Sequence, residues 1–416
     1  MSAQSSSAGP GGPASVLGPG FLEDPYPVYA RLRSSSPVFR VPLPVDSGAG
    51  VFILTRHTDV QHVLRDATFS VDRRRADVIQ RNRARLSEEF LGENGLFRSM
   101  LTMDPPDHTR VRGLVGKAFT PRRVAELRPR IEAITNDLLD EGIRDGRTDV
   151  MACLAAPLPA IVIAELLGVP AEDGPRFRRW AADVVAVAGS VLASGPDTDR
   201  LRQGLEPLRA YLGEVIADRR HAPREDLISA LVTAQVDRDA LSDAELLATA
   251  VLLLIAGHET TTNLIGNGTC ALLHHPEQLA RLRDDPALLG SAIEEMLRWD
   301  SPVQGTVRVA TQDTEIGGVE VGKGALVVCG IGAANRDPEI FVDPDRFDVG
   351  RSDSNHLSFG FGAHFCLGAS LARVEGEVAI RALLDRFPSL TLDAPSVQHR
   401  PNPILRGLVA LPVRGA

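Results

Sequence analysis

The segment from residue 242 to about residue 275 limits the fold more than any other part of the sequence. It begins with SDAE, in which Ser242 and Glu245 have the spacing of a capping box. The residues that follow, LLATAVLLLIAG, are apolar on every side of a helix for about four turns. Such a helix is stable only when other parts of the chain cover it. The sequence therefore predicts a long helix, about 45 to 50 Å by its residue count, at the centre of the protein.

The overall charge and the longest apolar run exclude several kinds of partner. The chain has 416 residues, a net charge of −9 and a pI of about 5.6. No general basic surface is therefore expected to hold nucleic acid or an anionic membrane. Residues 1–20 are rich in Ser, Ala, Gly and Pro, which predicts a flexible tail rather than a signal peptide. The apolar run at residues 246–257 is shorter than the about 20 residues that span a bilayer, so we expect a cytoplasmic monomer without a membrane anchor.

The remaining residues, 21–416, have the pattern of a single domain that is mainly α with a smaller β portion. Helical spacing dominates at about residues 100–300 and 366–390, and strand signals concentrate at about 36–56 and 305–330. A Pro- and Gly-rich loop separates the first two strands, as in a hairpin, and the Gly317-Gly318 pair indicates a turn. The predicted strands are VFRV (38–41), VFILT (51–55), GTVRVAT (305–311), TEIGG (314–318) and ALVVCG (325–330).

The middle of the long helix carries a polar segment, AGHETTT, at residues 256–262. Gly257 and the threonines are poor helix formers, and Glu259 places a charge where the helix is otherwise buried. One interpretation is that the helix reaches the surface here and Glu259 is solvated. The other is a local distortion, in which the Thr260 hydroxyl donates to the carbonyl of Ala256. A carboxylic acid and an alcohol would then line a groove and form a proton relay.

A second unusual segment, FGFGAHFCLG at residues 359–368, contains one of the four cysteines. Gly360 and Gly362 permit positive φ, so the chain can form a tight loop. Helical spacing follows, and Cys366 therefore lies at or just before a helix N-terminus, where amide groups favour a thiolate. A thiolate in such a loop suits an axial haem ligand, and the alternative is a core cysteine beside a turn. The other three cysteines have apolar neighbours and are predicted core residues: Cys153, Cys270 and Cys329.

The segment at residues 359–368 resembles the haem-binding signature of the cytochromes P-450, Phe-Gly-x-Gly-x-His-x-Cys-x-Gly, at every fixed position. Five further segments resemble other motifs of this family, in the family's order, over about 350 residues of the chain. The resemblance implies the cytochrome P-450 fold, a triangular prism with haem between the long central helix and the Cys-bearing helix. The five segments are DPYPVYARLR (24–33), DPPDHTRVR (104–112), AGHETT (256–261), EMLR (295–298) and PDRF (344–347).

The resemblance also implies roles for individual residues. Cys366 would be the axial thiolate ligand to the iron of haem b, and Glu259 and Thr260 would deliver protons. Cations would hold the haem propionates, because Arg forms paired hydrogen bonds with carboxylates. The implied haem contacts are His108, Arg112, Arg308, His364, Phe359, Gly368, Ala256 and Gly257; the structural network is Glu295, Arg298 and Arg346; the substrate pocket is Leu252, Ile255, Ala256, Val303, Gln304 and Thr306.

The implied reaction is monooxygenation of a lipophilic small molecule, in which one oxygen atom of dioxygen enters a C–H or C=C bond. The chain has no flavin or nicotinamide fingerprint, so electrons would come from a separate ferredoxin, or a flavodoxin, with its reductase. Macrolide, terpenoid, steroid and fatty-acid substrates remain open, and secondary metabolism is the expected setting. Two alternatives are a peroxide-driven peroxygenase and a non-catalytic haem-thiolate binding or sensor protein. The acid–alcohol pair Glu259 and Thr260 argues against both, because neither needs a proton relay.

An arginine-rich segment at residues 72–85 lies in the predicted lid, the loop at residues 72–100 that would cover the substrate entrance. Six arginines and two aspartates give it a local charge of +4, in a chain with a net charge of −9. A solvated helical face is one interpretation of such a run. The other is attraction of a substrate that bears a carboxylate, such as a fatty acid. The arginines are Arg73, Arg74, Arg75, Arg81, Arg83 and Arg85.

Overall fold

Helices form most of the body of the protein. The computed structural model describes residues 19–41, 48–81, 99–176, 179–180, 183, 198–236, 239–353 and 355–415. Helices occupy most of the described part of the two regions where helical spacing predicts them. In chain order they are α1 (Pro19–Glu23), α2 (Tyr26–Ser35), α3 (His57–Arg65), α4 (Asp77–Arg81), α5 (Asp107–Ala118), α6 (Pro121–Gly142), α7 (Pro157–Leu166), α8 (Thr198–His221), α9 (Leu227–Thr233), α10 (Asp243–His274), α11 (Pro276–Asp284), α12 (Leu289–Trp299), α13 (Ile331–Ala334) and α14 (Ala369–Arg386).

Short strands form one larger sheet and several small ones. They are β1 (Val38–Val41), β2 (Val51–Leu54), β3 (Phe69–Ser70), β4 (Arg147–Asp149), β5 (Gln235–Val236), β6 (Asp239–Ala240), β7 (Gly305–Ala310), β8 (Thr314–Ile316), β9 (Val319–Val321), β10 (Leu326–Gly330), β11 (Thr391–Leu392) and β12 (Pro412–Arg414). The larger sheet has the order β1-β2-β10-β7-β3, in which only the β2–β10 pair is parallel. The predicted β1–β2 hairpin is confirmed by the register Val38↔Leu54. The predicted turn between β8 and β9 is also confirmed, with Gly317 and Gly318 at positive φ.

Helix α10 lies at the centre of the body, as its sequence predicts. The capping box is present, because the Ser242 hydroxyl accepts from the amide of Glu245 and the Glu245 carboxylate accepts from the amide of Ser242. The helix has 32 residues, which gives about 48 Å at the rise of an α-helix. Helices α7, α8, α12 and α14 pack against it. By length and composition α10 could also cross a membrane, but half of its most apolar window is buried inside the protein.

Two local features differ from the sequence prediction. Helix α1 begins at Pro19, so the last two residues of the predicted tail belong to a helix, and residues 1–18 lie outside the described part. Strands β4, β11 and β12 form a three-stranded sheet that the sequence did not reveal. Strands of two or three residues are too short to show an alternation of apolar and polar residues.

A buried ionic network fixes the chain that leads to the Cys366 loop. Arg298 binds Glu295 through two hydrogen bonds of 2.6 and 2.9 Å, and the two side chains are 1% and 0% exposed. The Arg298 guanidinium also donates to the carbonyls of Asn335 (2.9 Å), Pro344 (2.7 Å) and Arg346 (3.2 Å). Because these carbonyls belong to a segment without regular structure, the network fixes its path.

The third side chain of this network is Arg351, and the prediction of Arg346 is wrong. The Arg351 side chain donates to Glu295 at 3.1 Å and is 10% exposed. Arg346 contributes only its backbone carbonyl, while its side chain is 61% exposed and lies 3.8 Å from Asp348. A backbone carbonyl that points into the network leaves the side chain of the same residue to point outwards.

We expect Arg351→Gln to lower the free energy of unfolding by about 2 to 3 kcal/mol, because a buried carboxylate loses a charged hydrogen bond. The matched change Arg346→Gln should cost less than about 0.5 kcal/mol, as exposed side chains usually do. Urea unfolding of the haem-loaded protein, followed by far-UV circular dichroism, measures both. An equal or larger loss of unfolding free energy for Arg346→Gln would show that the Arg346 side chain does take part in the network.

Candidate active site

The loop at residues 359–368 is tight and is built on two glycines. Gly360 and Gly362 both have φ of +73°, as the sequence predicts. A Cβ atom on Gly362 would lie 3.0 Å from the carbonyl oxygen of Leu64, so the loop also packs closely against α3. The amide of Cys366 donates to the carbonyl of Phe359 at 2.8 Å and closes the loop. Helix α14 begins three residues after Cys366, which places the thiol just before a helix N-terminus.

Cys366 is the exposed one of the four cysteines; Cys153 and Cys270 are partly buried and Cys329 is buried. The residue is exposed, yet the surrounding protein still desolvates its thiol. Burial raises the pKa of the Cys366 thiol, and the amide of Gly368 and the cations Arg112 and Arg373 oppose this effect. The predicted influence of the helix N-terminus is present but smaller than that of burial. A positive partner, such as a metal ion, would therefore favour the thiolate.

Four predicted cationic residues converge beside this loop. His108 and Arg112 lie one turn apart on α5, and the rings of His108 and His364 have centroids 3.9 Å apart. Arg112 donates to the carbonyl of Phe365. His108 is 2% exposed, and its Nε2 atom has no hydrogen-bond partner among the residues that the structure describes. Arg308, on β7, is 5% exposed.

The electrostatics of this cluster favour an anion. Burial, followed by the neighbouring His108, Arg308 and Arg112, lowers the pKa of His364 to about 3. Burial also lowers the pKa of His108, with Arg112 as the next cause. Asp104 opposes the shift at His108, but Asp104 already accepts hydrogen bonds from Ser70 and the amide of Val71. A bound anion would relieve the repulsion within the cluster.

The arginine-rich segment does not form a uniform solvated face. Arg74 binds Asp72 through two hydrogen bonds of 2.8 and 2.9 Å. Burial, followed by the neighbouring charge of Arg308, lowers the pKa of Arg73 to about 10, so Arg73 extends the cationic cluster instead. Arg75, whose side chain is 57% exposed, lies 3.8 Å from Asp104. Arg83 and Arg85, together with most of the predicted lid, lie outside the described residues.

Helix α10 is accessible along one stripe although its surroundings are buried. Leu252, Ile255, Gly257 and Thr260 are partly exposed, and Ala256 is exposed, whereas Leu253 and Leu254 are buried. Residues 252, 256 and 260 are four apart and share one face. The Thr260 hydroxyl donates to the carbonyl of Ala256 at 2.8 Å, as predicted from the sequence.

Glu259 is buried, and the interpretation that it is solvated is wrong. It is 6% exposed, and its carboxylate accepts a hydrogen bond from Arg400. Arg400 lies in the C-terminal hairpin, residues 398–409, in which the amide of Arg400 donates to the carbonyl of Gly407 at 2.8 Å. The sequence shows that a buried Glu259 requires a cation, but no spacing pattern connects two residues that are 141 positions apart.

Exposure differs among the residues of the strand edge that the sequence predicts to line the pocket. Val303 and Thr306 are partly exposed, whereas Gln304 is 4% exposed. The Gln304 side chain donates to the Ser301 carbonyl at 2.8 Å and points into the interior. Two residues of the C-terminal hairpin lie beside this edge, since the amide of Gln304 donates to the carbonyl of Ile404 and Val303 pairs with Leu405.

The comparisons with known proteins agree with this geometry. The model of the family Cytochrome P-450 matches residues 200–414. The cytochrome P-450 monooxygenase PikC of Streptomyces venezuelae is 44% identical over 405 residues, which cover 96% of this chain and 93% of that protein. The chain belongs to the cytochrome P-450 family. It is an oxidoreductase, and its P-450 relatives are monooxygenases and hydroxylases of bacteria.

Two further P-450 relatives illustrate the similarity. The 6-deoxyerythronolide B hydroxylase of Saccharopolyspora erythraea is 42% identical over 402 residues, which cover 95% of this chain and 96% of that protein. The crystal structure of the cytochrome P-450 BioI in complex with a hexadec-9Z-enoic acid ligated acyl carrier protein has a TM-score of 0.86 and 38% identity. The structural match covers 95% of the present chain and 99% of the BioI chain. The fold is therefore the cytochrome P-450 fold.

The residues present fit the haem that the P-450 family carries, with cysteine thiolate ligation. Cys366 is exposed, and its sulfur is a suitable ligand for a metal ion. The cluster formed by His108, Arg112, Arg308 and His364 suits two carboxylates. The Nε2 atom of His108, which has no partner among the residues that the structure describes, supplies a hydrogen-bonding position for one of them.

We expect Arg308→Gln to accelerate haem loss by about ten-fold, because a charged hydrogen bond contributes about 1.5 to 3 kcal/mol. Transfer of haem to apomyoglobin measures the rate. Arg122→Gln is the control, since the Arg122 side chain is 90% exposed and bonds Glu126 one turn away on the same helix. Equal rates of haem loss in wild type and Arg308→Gln would contradict a role of Arg308 in holding a propionate.

Proposed function

We propose that this protein is a haem-thiolate monooxygenase that inserts one oxygen atom of dioxygen into a C–H or C=C bond of a lipophilic small molecule. The observation that carries the proposal is the exposed Cys366, in a glycine-rich loop just before a helix and next to the basic side chains of His108, Arg112, Arg308 and His364. Cys366 holds the iron, and His108, Arg112, Arg308 and His364 hold the propionates. Haem with a thiolate ligand supplies the activation of dioxygen and the oxygen transfer.

Glu259 and Thr260 supply protons from the helix α10 side. Hydroxylation by dioxygen consumes two electrons and two protons for each product and releases water, so a proton path is part of the reaction. Thr260 lies on the accessible stripe, and Glu259 lies one residue away on the buried side, in contact with Arg400. The carboxylate can therefore receive a proton from the interior, and the hydroxyl can pass it to the accessible face.

The accessible residues of the pocket are mostly apolar, which favours a lipophilic substrate. They are Leu252, Ile255, Ala256, Val303, Thr306, Ile404 and Leu405. One relative is named for hydroxylation of 6-deoxyerythronolide B, and one solved structure holds a hexadecenoic acid on its carrier protein. A large secondary metabolite or a fatty acyl chain is therefore the proposed class of substrate.

The electron donor is a separate ferredoxin, or a flavodoxin, with its reductase, and the protein acts in the cytoplasm. The proposed docking surface lies over Cys366, where the Phe365 side chain is exposed. Arg112 and Arg373 lie close enough to act on the Cys366 thiol, and their charges would attract an acidic partner.

We expect Thr260→Val to lower the product yield of the dioxygen-driven reaction but not that of the peroxide-driven reaction. With a nicotinamide donor, ferredoxin and reductase, the yield of product per nicotinamide oxidised should fall roughly ten-fold or more, because the proton-carrying hydroxyl is lost. With hydrogen peroxide the yield should remain near the wild-type value, since hydroxylation by peroxide consumes no net protons or electrons. Thr260→Ser retains the hydroxyl and is the control. Glu259→Gln should behave as Thr260→Val does.

The same measurement separates the alternatives. A peroxygenase would turn over steadily with peroxide and not with the nicotinamide system, and a sensor protein would form no product with either oxidant. Equal losses with both oxidants in Thr260→Val would show that this residue supports the fold of the site rather than proton delivery.

A further inference from the structure

A separate polar cluster lies next to the Cys366 loop, and its side chains come from three parts of the chain. Glu294 lies on α12, His356 lies in the irregular segment before the loop, and Arg373 lies on α14. The Arg373 guanidinium donates two hydrogen bonds to the Glu294 carboxylate, at 2.7 and 2.8 Å. Such a paired contact fixes both the position and the orientation of the guanidinium.

His356 is the second partner of the Glu294 carboxylate. Its Nε2 atom lies 3.1 Å from a Glu294 oxygen, and its Nδ1 atom accepts from the amide of Ser358 at 3.3 Å. Because Nδ1 is an acceptor, the ring proton is on Nε2 and is donated to the carboxylate. Burial opposes the ionisation of Glu294, but hydrogen bonds from Arg373 and His356 lower its pKa to about 2. Glu294 is therefore an anion at neutral pH, and it holds Arg373 as its cation.

The same guanidinium covers the first residue of the Cys366 loop. Its central carbon lies 4.5 Å from the centre of the Phe359 ring, which is a cation–π contact. The carbonyl of Phe359 in turn accepts from the amide of Cys366 at 2.8 Å. Arg373 lies in the second turn of α14, and helical side chains lean towards the N-terminus of their helix, which Cys366 precedes. Burial raises the pKa of the Cys366 thiol, and the charge of Arg373 is among the effects that oppose this rise.

We propose that Arg373, held in place by Glu294 and His356, is a positioning residue that raises the reduction potential of the haem iron through the Cys366 thiolate. A thiolate ligand donates electron density to iron, which favours the oxidised form. A fixed positive charge near the sulfur withdraws part of this density and favours the reduced form. Arg373 acts through the sulfur of Cys366, so its role is to set the electrostatics of the ligand.

This inference rests on the proposed function, since the first electron from the ferredoxin or flavodoxin would enter the haem iron. A higher reduction potential makes that transfer more favourable. A charge effect and a packing effect give different results when Arg373 and Glu294 are changed in turn. Removal of the positive charge should lower the potential, and removal of the negative charge should raise it. A loss of packing around the loop would shift the potential in the same direction in both variants.

The test is a redox titration, with mediator dyes, of the haem-loaded protein without substrate. For Arg373→Gln we expect the equilibrium constant of one-electron reduction to fall at least about three-fold, which is a shift of about 30 mV to lower potential. Glu294→Gln keeps an oxygen that can accept from Arg373 and removes a negative charge, so its potential should shift to a higher value. Arg373→Lys retains the charge, and its equilibrium constant should stay within about two-fold of that of the wild type.

The matched control is Arg381→Gln, which makes the same change of charge about two turns further along α14. The Arg381 side chain is 45% exposed and lies 3.4 Å from Asp385 on the same helix, so solvent screens its charge and the potential should equal that of the wild type.

An unchanged potential in Arg373→Gln, or shifts in the same direction in Arg373→Gln and Glu294→Gln, would overturn the inference. If Arg373→Gln does not bind haem, the sign of the shift in Glu294→Gln decides the question. Absence of the thiolate-type Soret band from the carbon monoxide complex of the wild type would instead overturn the proposed function.

Discussion

The arrangement of the site depends on the burial of helix α10. Beyond its capping box, the helix is apolar on nearly every side over residues 246–257, and α7, α8, α12 and α14 pack against it. Every polar side chain in the covered part must then find a partner on another segment. Arg400 meets Glu259, and the carbonyl of Arg406 meets Asn267, so these polar residues bind the C-terminal hairpin to the helix. The stripe that includes Ala256 and Thr260 interrupts this cover and is accessible.

The Cys366 loop is fixed by polar contacts of the preceding chain rather than by apolar packing alone. Asn335, whose carbonyl accepts from the buried Arg298, uses its side chain to bind the hydroxyl of Ser358 at 2.8 Å and the amide of Leu357 at 2.7 Å. The loop begins directly after Ser358. The network of Glu295, Arg298 and Arg351 therefore sets the position of the chain that presents the thiol, although none of its side chains reaches the site.

Much of this architecture could be predicted because its signals are local. The capping box, the apolar run of α10 and the two glycines of the Cys366 loop each act within a few residues, and the structure confirms them. Side-chain partners that lie far apart in the sequence could not be predicted. A buried Glu259 calls for a cation, but any of the arginines meets that need, and only the folded hairpin selects Arg400.

Where the structure differs from the sequence prediction, the direction of a side chain depends on the folded path of the backbone. Arg346 and Arg351 lie in one irregular segment, and which side chain points inwards depends on a backbone path that no pattern reveals. Val303 and Gln304 were both predicted to line the pocket, yet neighbouring residues of an extended chain point to opposite sides. Arg73 belongs to a charge run, but it follows the cap residue Asp72 in a short 3-10 turn and is buried close enough to Arg308 for the charge of Arg308 to lower its pKa.

The proposed thiolate ligation of iron by Cys366 is the assignment on which the other proposed roles depend. The most direct measurement is the Soret band of the reduced, haem-loaded protein under carbon monoxide. The wild type and Cys329→Ser should both show the strongly red-shifted band that a thiolate ligand produces, and Cys366→Ser should lose it while still binding haem. A red-shifted band that survives in Cys366→Ser, or that is lost in Cys329→Ser, would contradict the assignment.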